Sequence, residues 1–190
     1  MRAFIAITLS QEVKDTLSGL QKELRATGAD VKWVAPANIH LTLKFLGEID
    51  DAQQETAAGI LDDAAAAQRP FRIRLSSLGA FPKAYAPRVV WAGIDTGAIE
   101  AGTIASLLEY ACAKMAIAKE ERPFSSHITL GRARSAMNRD KLVKRLAELQ
   151  DYFEAHAAEF PVPEITLYKS TLTLAGPVYE TVHAAHLSTA

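Results

Sequence analysis

The sequence predicts a bilobal α+β fold of two mainly antiparallel β-sheets with helices on the outside. Helical patterns separate pairs of strand patterns, which argues against a doubly wound parallel sheet. About eight strands and four helices are predicted along 190 residues. One short motif also occurs in each half of the chain. We therefore expect two intertwined lobes, related by a pseudo-two-fold around a central active-site groove, in a single domain over residues 1–190.

In the first half of the chain, caps and periodicity predict the elements. The apolar run 2–8 is typical of a buried strand, and Ser10 caps a helix that ends near Gly28. The following elements are a strand at 31–34, the first motif strand closed by Gly47, a helix from Asp50 or Asp51 to about Ala67, and a strand at 71–75.

In the second half, the segment FPKAYAPR at 81–88 contains two prolines, a tyrosine and two cations. This composition predicts either a lid or substrate wall, or a plain hairpin connection. The other predicted elements are a strand at 89–94, a helix at about 98–118, the second motif strand at 126–133, a helix at about 138–157, strands at 164–169 and 170–174, and a last strand from Val178 to about Leu187.

The motif consists of a histidine, an apolar residue, a threonine and a leucine. It occurs as HLTL at 40–43 and again as HITL at 127–130, 87 residues later. Strand alternation places the histidine and threonine of each copy on one face, about 7 Å apart. A lone His-x-Thr is more typical of an ordinary surface strand, but packing requires only the apolar half of the pattern. Its repetition therefore indicates a site of two imidazoles and two hydroxyls.

Composition limits the kind of ligand and the environment. The net charge of −1 provides no global field for a long polyanion, so a nucleic acid would be bound at a short stretch or an end. The single cysteine, Cys112, indicates a buried helical thiol and a reducing compartment. The N-terminal run MRAFIAITLS lacks the features of a signal peptide or membrane span. We expect a cytoplasmic monomer that does not bind membranes.

Zinc binding is another use of two histidines. Zinc normally takes three or four ligands, and the chain has no cysteine pair, no HExxH and no carboxylate within either motif. His183 and His186 lie three residues apart in a predicted strand and would point to opposite faces. We therefore expect neither a metal nor another cofactor.

Several segments together resemble the RNA 2′,3′-cyclic phosphodiesterase family, formerly called 2′–5′ RNA ligases, of the 2H phosphoesterase superfamily. They are HLTLKFLGE, HITLGR, the opening RAFIAI, Trp33 and the closing LYKSTLTLAGPVYE. The resemblance covers essentially the whole chain. It implies a bilobal α+β fold and metal-independent hydrolysis of RNA 2′,3′-cyclic phosphate ends to 2′-phosphates. The chain departs from the family at Ser125-Ser126, where a proline usually precedes the second histidine.

The resemblance also implies roles for the motif residues. His40 corresponds to the proton donor and His127 to the proton acceptor. Thr42 and Thr129 correspond to the residues that hold the phosphate oxygens. These roles agree with the chemistry, because imidazoles with an ordinary pKa near 6.5 can supply both an acid and a base near neutral pH.

Four further residues are candidates for substrate contacts. Lys44, which alternation places on the His40 face, and Arg132, just beyond Thr129, could stabilise charge on the phosphate, although either could be a solvated surface charge. Trp33 and Tyr179 could stack on bases or pack in the core. The substrates expected from these features are RNA ends or small cyclic-phosphate nucleotides.

Three other functions fit the same residues. They are reversible 2′–5′ RNA ligation, hydrolysis of another small cyclic phosphate, and non-catalytic binding of RNA ends. Intact histidine and threonine in both motifs argue against the last of these.

Overall fold

The computed structural model describes residues 1–174 and 176–188. Its nine strands are β1 (Arg2–Thr8), β2 (Val31–Trp33), β3 (His40–Glu48), β4 (Phe71–Lys83), β5 (Ala86–Ile94), β6 (His127–Ala133), β7 (Glu159–Val162), β8 (Glu164–Thr173) and β9 (Gly176–His186). Its four α-helices are α1 (Gln11–Arg25), α2 (Asp51–Ala66), α3 (Ala98–Cys112) and α4 (Arg139–Ala155). None of these helices is long and apolar enough to span a membrane.

The strands form two sheets. The first sheet has the order β3-β1-β8-β9 and the second has the order β2-β6-β5-β4-β7. Every strand pair in the described part of the chain is antiparallel. The predicted α+β fold with two antiparallel sheets and four helices is therefore confirmed.

Each sheet contains strands from both halves of the chain. Strand β4, from the first half, lies between β5 and β7 in the second sheet, and β8, from the second half, lies between β1 and β9 in the first. Helices α2 and α3 pack against the first sheet, while α4 packs against the second and contacts α1. The two halves therefore cannot separate without removing an interior strand from each sheet.

Local sequence explains where the first two helices begin. Ser10 Oγ accepts a hydrogen bond from the Val13 amide at 3.4 Å at the start of α1. Asp50 and Gln53 form a reciprocal capping box at the start of α2. Helix α3 ends at Cys112, six residues before the predicted end, and a short 3₁₀ turn over 113–115 follows.

The segment 81–88 is not a loop. Strand β4 continues to Lys83 and β5 begins at Ala86, so that only Ala84 and Tyr85 form the turn. The connection is therefore a tight hairpin, as the second of the two interpretations of this segment predicts, and not a long loop. The extension of β4 to Lys83 is hard to predict because Gly79 interrupts the alternation of its side chains. The structure requires glycine at this position, since the Trp91 ring lies directly over it.

Strand β7 was missed because it contains Pro161 and is followed by Pro163. Proline removes a ladder hydrogen bond and is tolerated at a sheet edge. Strand β7 pairs only with β4 and forms one edge of the second sheet.

Strand β3 contains a one-residue bulge directly after its threonine. Thr42 pairs with Ala6 and Lys44 with Ile5, which leaves Leu43 as the extra residue. A bulge shifts the alternation of side chains by one position. Leu43 and Lys44 are consequently both buried, although they are adjacent in a strand.

Strand β6 has the same bulge at the same position in its motif. Thr129 pairs with Trp91 and Gly131 with Val90, so that Leu130 is the extra residue. Leu130 and Gly131 are both buried. The repeated motif therefore specifies a bulged strand in each half of the chain.

Gly131 occupies a position where no side chain fits. A Cβ atom there would lie 2.6 Å from Val31 Cγ1 and 2.8 Å from Trp33 Cε3. Replacing Gly131 with alanine should therefore lower the free energy of unfolding by about 1–3 kcal/mol, as is typical of overpacking. Urea denaturation would measure this loss.

The matched control is Gly59→Ala, in α2, where the added methyl group meets nothing within 4 Å. That change should stabilise the protein by about 0.5–1 kcal/mol, because alanine is the better helix former. Equal stability of the Gly131→Ala variant and the unmodified protein would contradict the close packing of Trp33 and Val31 over this strand.

Candidate functional site

The two motif strands lie next to each other although they belong to different sheets. Strand β3 forms an edge of the first sheet, and it contacts β6, the second strand of the other sheet. His40, Thr42, His127 and Thr129 are all half-buried. The fold thus brings the two predicted pairs of histidine and threonine onto adjacent strands.

His40 is fixed by hydrogen bonds at both ring nitrogens. Its Nδ1 lies 2.7 Å from the Asn38 carbonyl oxygen, and its Nε2 lies 2.9 Å from Thr42 Oγ1. The ring also packs against Phe4, with centroids 4.8 Å apart, and meets Tyr179 edge-on at 5.4 Å. The imidazole is therefore held in one orientation by its own strand and by two aromatic neighbours.

His127 is held by an equivalent hydrogen bond. Its Nδ1 lies 2.8 Å from the Ser125 carbonyl oxygen, and its ring meets Phe81 edge-on at 5.0 Å. Within residues 1–174 and 176–188, no hydrogen-bond partner is found for Nε2 of this ring. A backbone carbonyl makes this contact, so the contact does not depend on the side chain at position 125.

The same local contact sets the tautomer of both histidines. A carbonyl oxygen can only accept, so Nδ1 of each ring carries a proton and donates it to the residue two positions earlier. When the ring is neutral, Nε2 therefore carries the lone pair. In both motifs Nε2 is thus the nitrogen that can take up a proton.

Burial lowers the pKa of both histidines below the ordinary value of 6.5. The carbonyl oxygens of Asn38 and Ser125 oppose this shift, because they stabilise the protonated rings. A positive charge near each ring lowers its pKa further: Lys14 acts on His40, and Arg132 acts on His127. Both rings therefore favour the neutral form at neutral pH in the free protein.

Arg132 lies near residues of both sheets. Because the bulge shifts the alternation after Thr129, the exposed Arg132 returns to the face of His127. Burial raises the pKa of Tyr179 on β9, and the charges of Arg2 and Arg132 partly counteract this rise. Tyr179 meets the His40 ring at 5.4 Å, and Arg132 shares the face of His127, so both predicted contact residues lie beside a motif histidine.

Lys44 does not lie on the His40 face, and that prediction is wrong. The bulge turns Lys44 toward α3, where it is only 2% exposed. Its Nζ forms an ion pair with Glu109 at 2.8 Å, lies 3.7 Å from Glu120, and donates to the Ala118 carbonyl at 3.0 Å. Lys44 therefore binds the segment that leads into the second motif and is unavailable to a phosphate.

Trp33 packs against the core, and the structure does not place it beside the motif histidines as a surface for base stacking. Its ring packs over Gly131, on the side of the sheet where Val31 is buried. The Arg25 guanidinium from α1 lies 5.6 Å from the centre of the Trp33 ring. Core packing, the alternative considered for this residue, therefore replaces the stacking role.

Sequence reasoning missed several residues around the histidines. Phe81 was assigned to a loop, and Lys14, on α1, carries no sequence pattern that distinguishes it from a solvated helix residue. Trp91, which pairs with Thr129, has a buried indole Nε1 without a hydrogen-bond partner among the described residues. Only the pairing of distant strands brings these side chains to the site.

A cavity of about 340 Å³ lies beside His40. Its walls include the rings of Phe4, Tyr168 and Tyr179, together with His40 and Lys14. We call this space the His40 cavity. Its volume is at the lower end of the range for small-molecule sites.

No group of three or more His, Cys, Asp or Glu side chains in residues 1–174 and 176–188 is arranged to hold a metal ion. His183 Nε2 instead forms a hydrogen bond with Asp62 Oδ1 at 2.7 Å, and His186 Nδ1 lies 3.6 Å from Glu164 Oε2. The histidines of β9 are thus engaged in separate surface pairs.

Comparison with a protein-family model gives two matches in this chain. The model described as LigT-like phosphoesterase matches residues 7–91 and again residues 95–179. The two matched ranges each contain one motif, which agrees with the predicted pseudo-two-fold.

The chain is also similar to known proteins over nearly its whole length. It is 34% identical to a protein of Methanothermobacter thermautotrophicus, covering 94% of this chain and 95% of that one. It is 35% identical to a protein of Aquifex aeolicus, covering 98% and 97% of the two chains. Both relatives are named RNA 2′,3′-cyclic phosphodiesterase.

Solved structures share the fold. A protein of Thermus thermophilus aligns with a TM-score of 0.81 and 28% identity over 98% of each chain. Escherichia coli LigT in complex with 3′-AMP aligns with a TM-score of 0.76 and 25% identity, over 99% of this chain and 98% of that one.

The two charges near the histidines can be tested separately. Lys14→Gln should raise the pKa of His40 and leave that of His127 unchanged, whereas Arg132→Gln should do the reverse, because removing a nearby positive charge favours the protonated ring. Nuclear magnetic resonance titration of the imidazole protons would measure both values. In the unmodified protein both should lie below 6.5.

Lys22→Gln is the control, since Lys22 lies on the same helix as Lys14 but in its last turn. Equal shifts of both histidines in either variant would contradict the separate placement of Lys14 and Arg132.

Proposed function

We infer the reaction of this protein from one premise: the chain belongs to the family of LigT-like phosphoesterases. Its homologues across most of the chain are RNA 2′,3′-cyclic phosphodiesterases. We propose that this chain hydrolyses 2′,3′-cyclic phosphates at RNA ends, or on small nucleotides, to 2′-phosphomonoesters. The proposed mechanism uses two histidines as acid and base and no metal ion.

The observation that carries this proposal is the matched pair of Nδ1–carbonyl hydrogen bonds. In each motif the carbonyl two residues before the histidine holds Nδ1, at 2.7 Å for His40 and 2.8 Å for His127. Each ring is thereby fixed with Nε2 as the atom that exchanges protons. A purely structural histidine would not require the same arrangement in both halves of the chain.

We assign the base to His127 and the acid to His40. Nε2 of His127 takes a proton from water as the water oxygen attacks phosphorus, and the bond from phosphorus to the ribose 3′ oxygen breaks. His40 donates its Nε2 proton to that oxygen, which leaves a 2′-phosphate and a 3′-hydroxyl. The absence of a partner at Nε2 of His127 in the described chain supports its assignment as the base.

Two hydroxyls and one guanidinium stabilise the phosphate in this mechanism. Thr42 and Thr129 follow their histidines at the same spacing, just before each bulge. Thr129 donates to a non-bridging oxygen, and Thr42 does so once His40 is protonated and no longer accepts the hydroxyl proton of Thr42. Arg132, just after the second bulge, supplies the positive charge. Fixed donors and charges of this kind stabilise the negative charge that develops on the oxygens in the transition state.

The lowered pKa of both histidines is compatible with these roles. The free protein favours neutral rings, which suits the base directly. The acid must be protonated, and the negative charge of the bound phosphate favours that state, because an opposite charge raises the pKa of a neighbouring imidazole. Substrate binding therefore charges His40 in this scheme.

The two histidine roles can be tested with the leaving group. His40→Ala and His127→Ala should each lower kcat/KM by about 10²–10⁴-fold on an RNA cyclic phosphate. On an activated aryl phosphodiester, whose leaving group needs no proton, His40→Ala should recover most of its rate, whereas His127→Ala should stay slow. Steady-state kinetics on the two substrates would measure the difference.

Gln11→Ala, at the exposed start of α1, is a control that should keep full activity on both substrates. Recovery by His127→Ala alone, or equal recovery by both variants, would show that the acid and the base are assigned in the wrong order.

The metal-independent mechanism makes a separate prediction. Activity on an RNA 2′,3′-cyclic phosphate should be unchanged in excess EDTA, because the described residues contain no cluster of three or more metal-binding side chains. Initial rates with and without chelator would measure this. Loss of activity in EDTA with restoration by Zn²⁺ or Mn²⁺ would exclude the two-histidine mechanism as proposed.

A further inference from the structure

We propose that the His40 cavity binds the nucleotide that carries the cyclic phosphate, and that Lys14 binds the phosphodiester on the 5′ side of that nucleotide. The inference rests on the proposed function and deepens it. It assigns a residue that distinguishes the end of an RNA chain from a mononucleoside cyclic phosphate.

The role of His40 indicates which part of the substrate occupies the cavity. This residue donates a proton to the ribose 3′ oxygen in the proposed reaction, so the ribose must lie on its side of the phosphate. The His40 cavity begins at that ring and has a volume of about 340 Å³. It is therefore the space into which the sugar and base extend.

The walls of the cavity suit a base of any identity. Tyr168 stacks on the buried Phe4 with ring centroids 5.4 Å apart, and Tyr179 meets Phe4 edge-on at 4.8 Å. Both tyrosines are half-buried and keep part of their surface exposed. Aromatic surfaces bind bases by stacking with little sequence preference, because every base has a π-face. The phenol of Tyr168 is already paired with Thr8 Oγ1 at 2.6 Å.

Lys14 is a cation in the cavity wall that lacks a carboxylate partner in the described residues. Its Nζ donates to the Ala37 carbonyl at 3.4 Å, which is long for such a hydrogen bond. The ammonium group can therefore bind an anion without breaking an ion pair. Its charge also reaches His40, whose pKa it lowers after the larger effect of burial.

The substrate provides an anion at this position. In an RNA chain the next phosphodiester lies one ribose away from the reacting phosphorus, on the 5′ side. Lys14 lies in the wall of the cavity that this ribose enters in the proposed complex, so its ammonium group is placed to bind this phosphodiester. A mononucleoside cyclic phosphate has no such group, so it cannot use Lys14 for binding.

The experiment compares two substrates, adenosine 2′,3′-cyclic phosphate and the dinucleotide ApA with a terminal 2′,3′-cyclic phosphate. The measured quantity is the ratio of kcat/KM for the dinucleotide to kcat/KM for the mononucleoside. Lys14→Gln should lower this ratio about 10-fold, the loss expected for one hydrogen bond to a charged group near the surface. Any effect of Lys14 on His40 applies to both substrates and cancels in the ratio.

Three further measurements separate phosphate binding from a general effect. Lys14→Arg should keep most of the ratio, because a guanidinium also binds phosphate. Lys22→Gln, in the last turn of the same helix, should leave both rates unchanged. The slope of log kcat/KM for the dinucleotide against log salt concentration should become shallower by about 0.7 in Lys14→Gln, as expected for one lost contact to single-stranded nucleic acid.

The outcomes distinguish the two proposals. If the unmodified protein hydrolyses neither substrate, the proposed function fails. If it hydrolyses both and Lys14→Gln leaves the ratio and the salt slope unchanged, the assignment of Lys14 is overturned and the function stands. An equal fall of both rates in Lys14→Gln would likewise overturn the assignment, because it would show an effect on His40 alone.

Discussion

A one-residue bulge after the threonine of each motif determines which side chains share a face with the motif histidine. Without it, strict alternation would place residue 44 beside His40 and residue 131 beside His127. With it, Leu43 and Lys44 in one strand, and Leu130 and Gly131 in the other, are turned into the interior. The motif side chains are held firmly because two consecutive neighbours on each strand are buried.

The inward position after the bulge is occupied by Lys44 in the first motif strand and by Gly131 in the second. Lys44 binds Glu109, Glu120 and the Ala118 carbonyl, which connects the first motif strand to the segment before the second. Lys44 is buried whereas both glutamates remain partly exposed, so water screens part of their attraction. Burial raises the pKa of Glu109, but its bonds to Lys44 and to the Glu120 amide outweigh this and lower it overall. The pair is therefore stabilising above the unfolded pKa of the carboxyl group, and this contribution is lost as the pH falls through the folded value.

The fold class, the caps of the first two helices and the motif histidines could be predicted from the sequence because each depends on a local pattern. Alternation failed at Lys44, since a bulge leaves no mark in the residue types around it. The sequence left core packing and base stacking both open for Trp33, because its position is fixed by pairing with Gly131, which is remote in sequence. Proline made strand β7 hard to predict, although proline is tolerated at the edge of a sheet. Glycine did the same for the β4–β5 hairpin, where the Trp91 ring covers Gly79.

The difference between acid and base cannot arise from the motifs, because they are nearly identical. Both histidines donate Nδ1–H to a carbonyl, both pack against a phenylalanine, and burial lowers the pKa of both. The two rings differ in the side chains that other strands and helices place around them. Nε2 of the neutral His40 ring accepts a hydrogen bond from Thr42 Oγ1, and His40 borders the cavity that contains Lys14, whereas His127 has the exposed Arg132 nearby. In the proposed reaction, the neighbours of two similar strands therefore determine which histidine is the acid and which is the base. The acid is the histidine on the side where the leaving ribose fits.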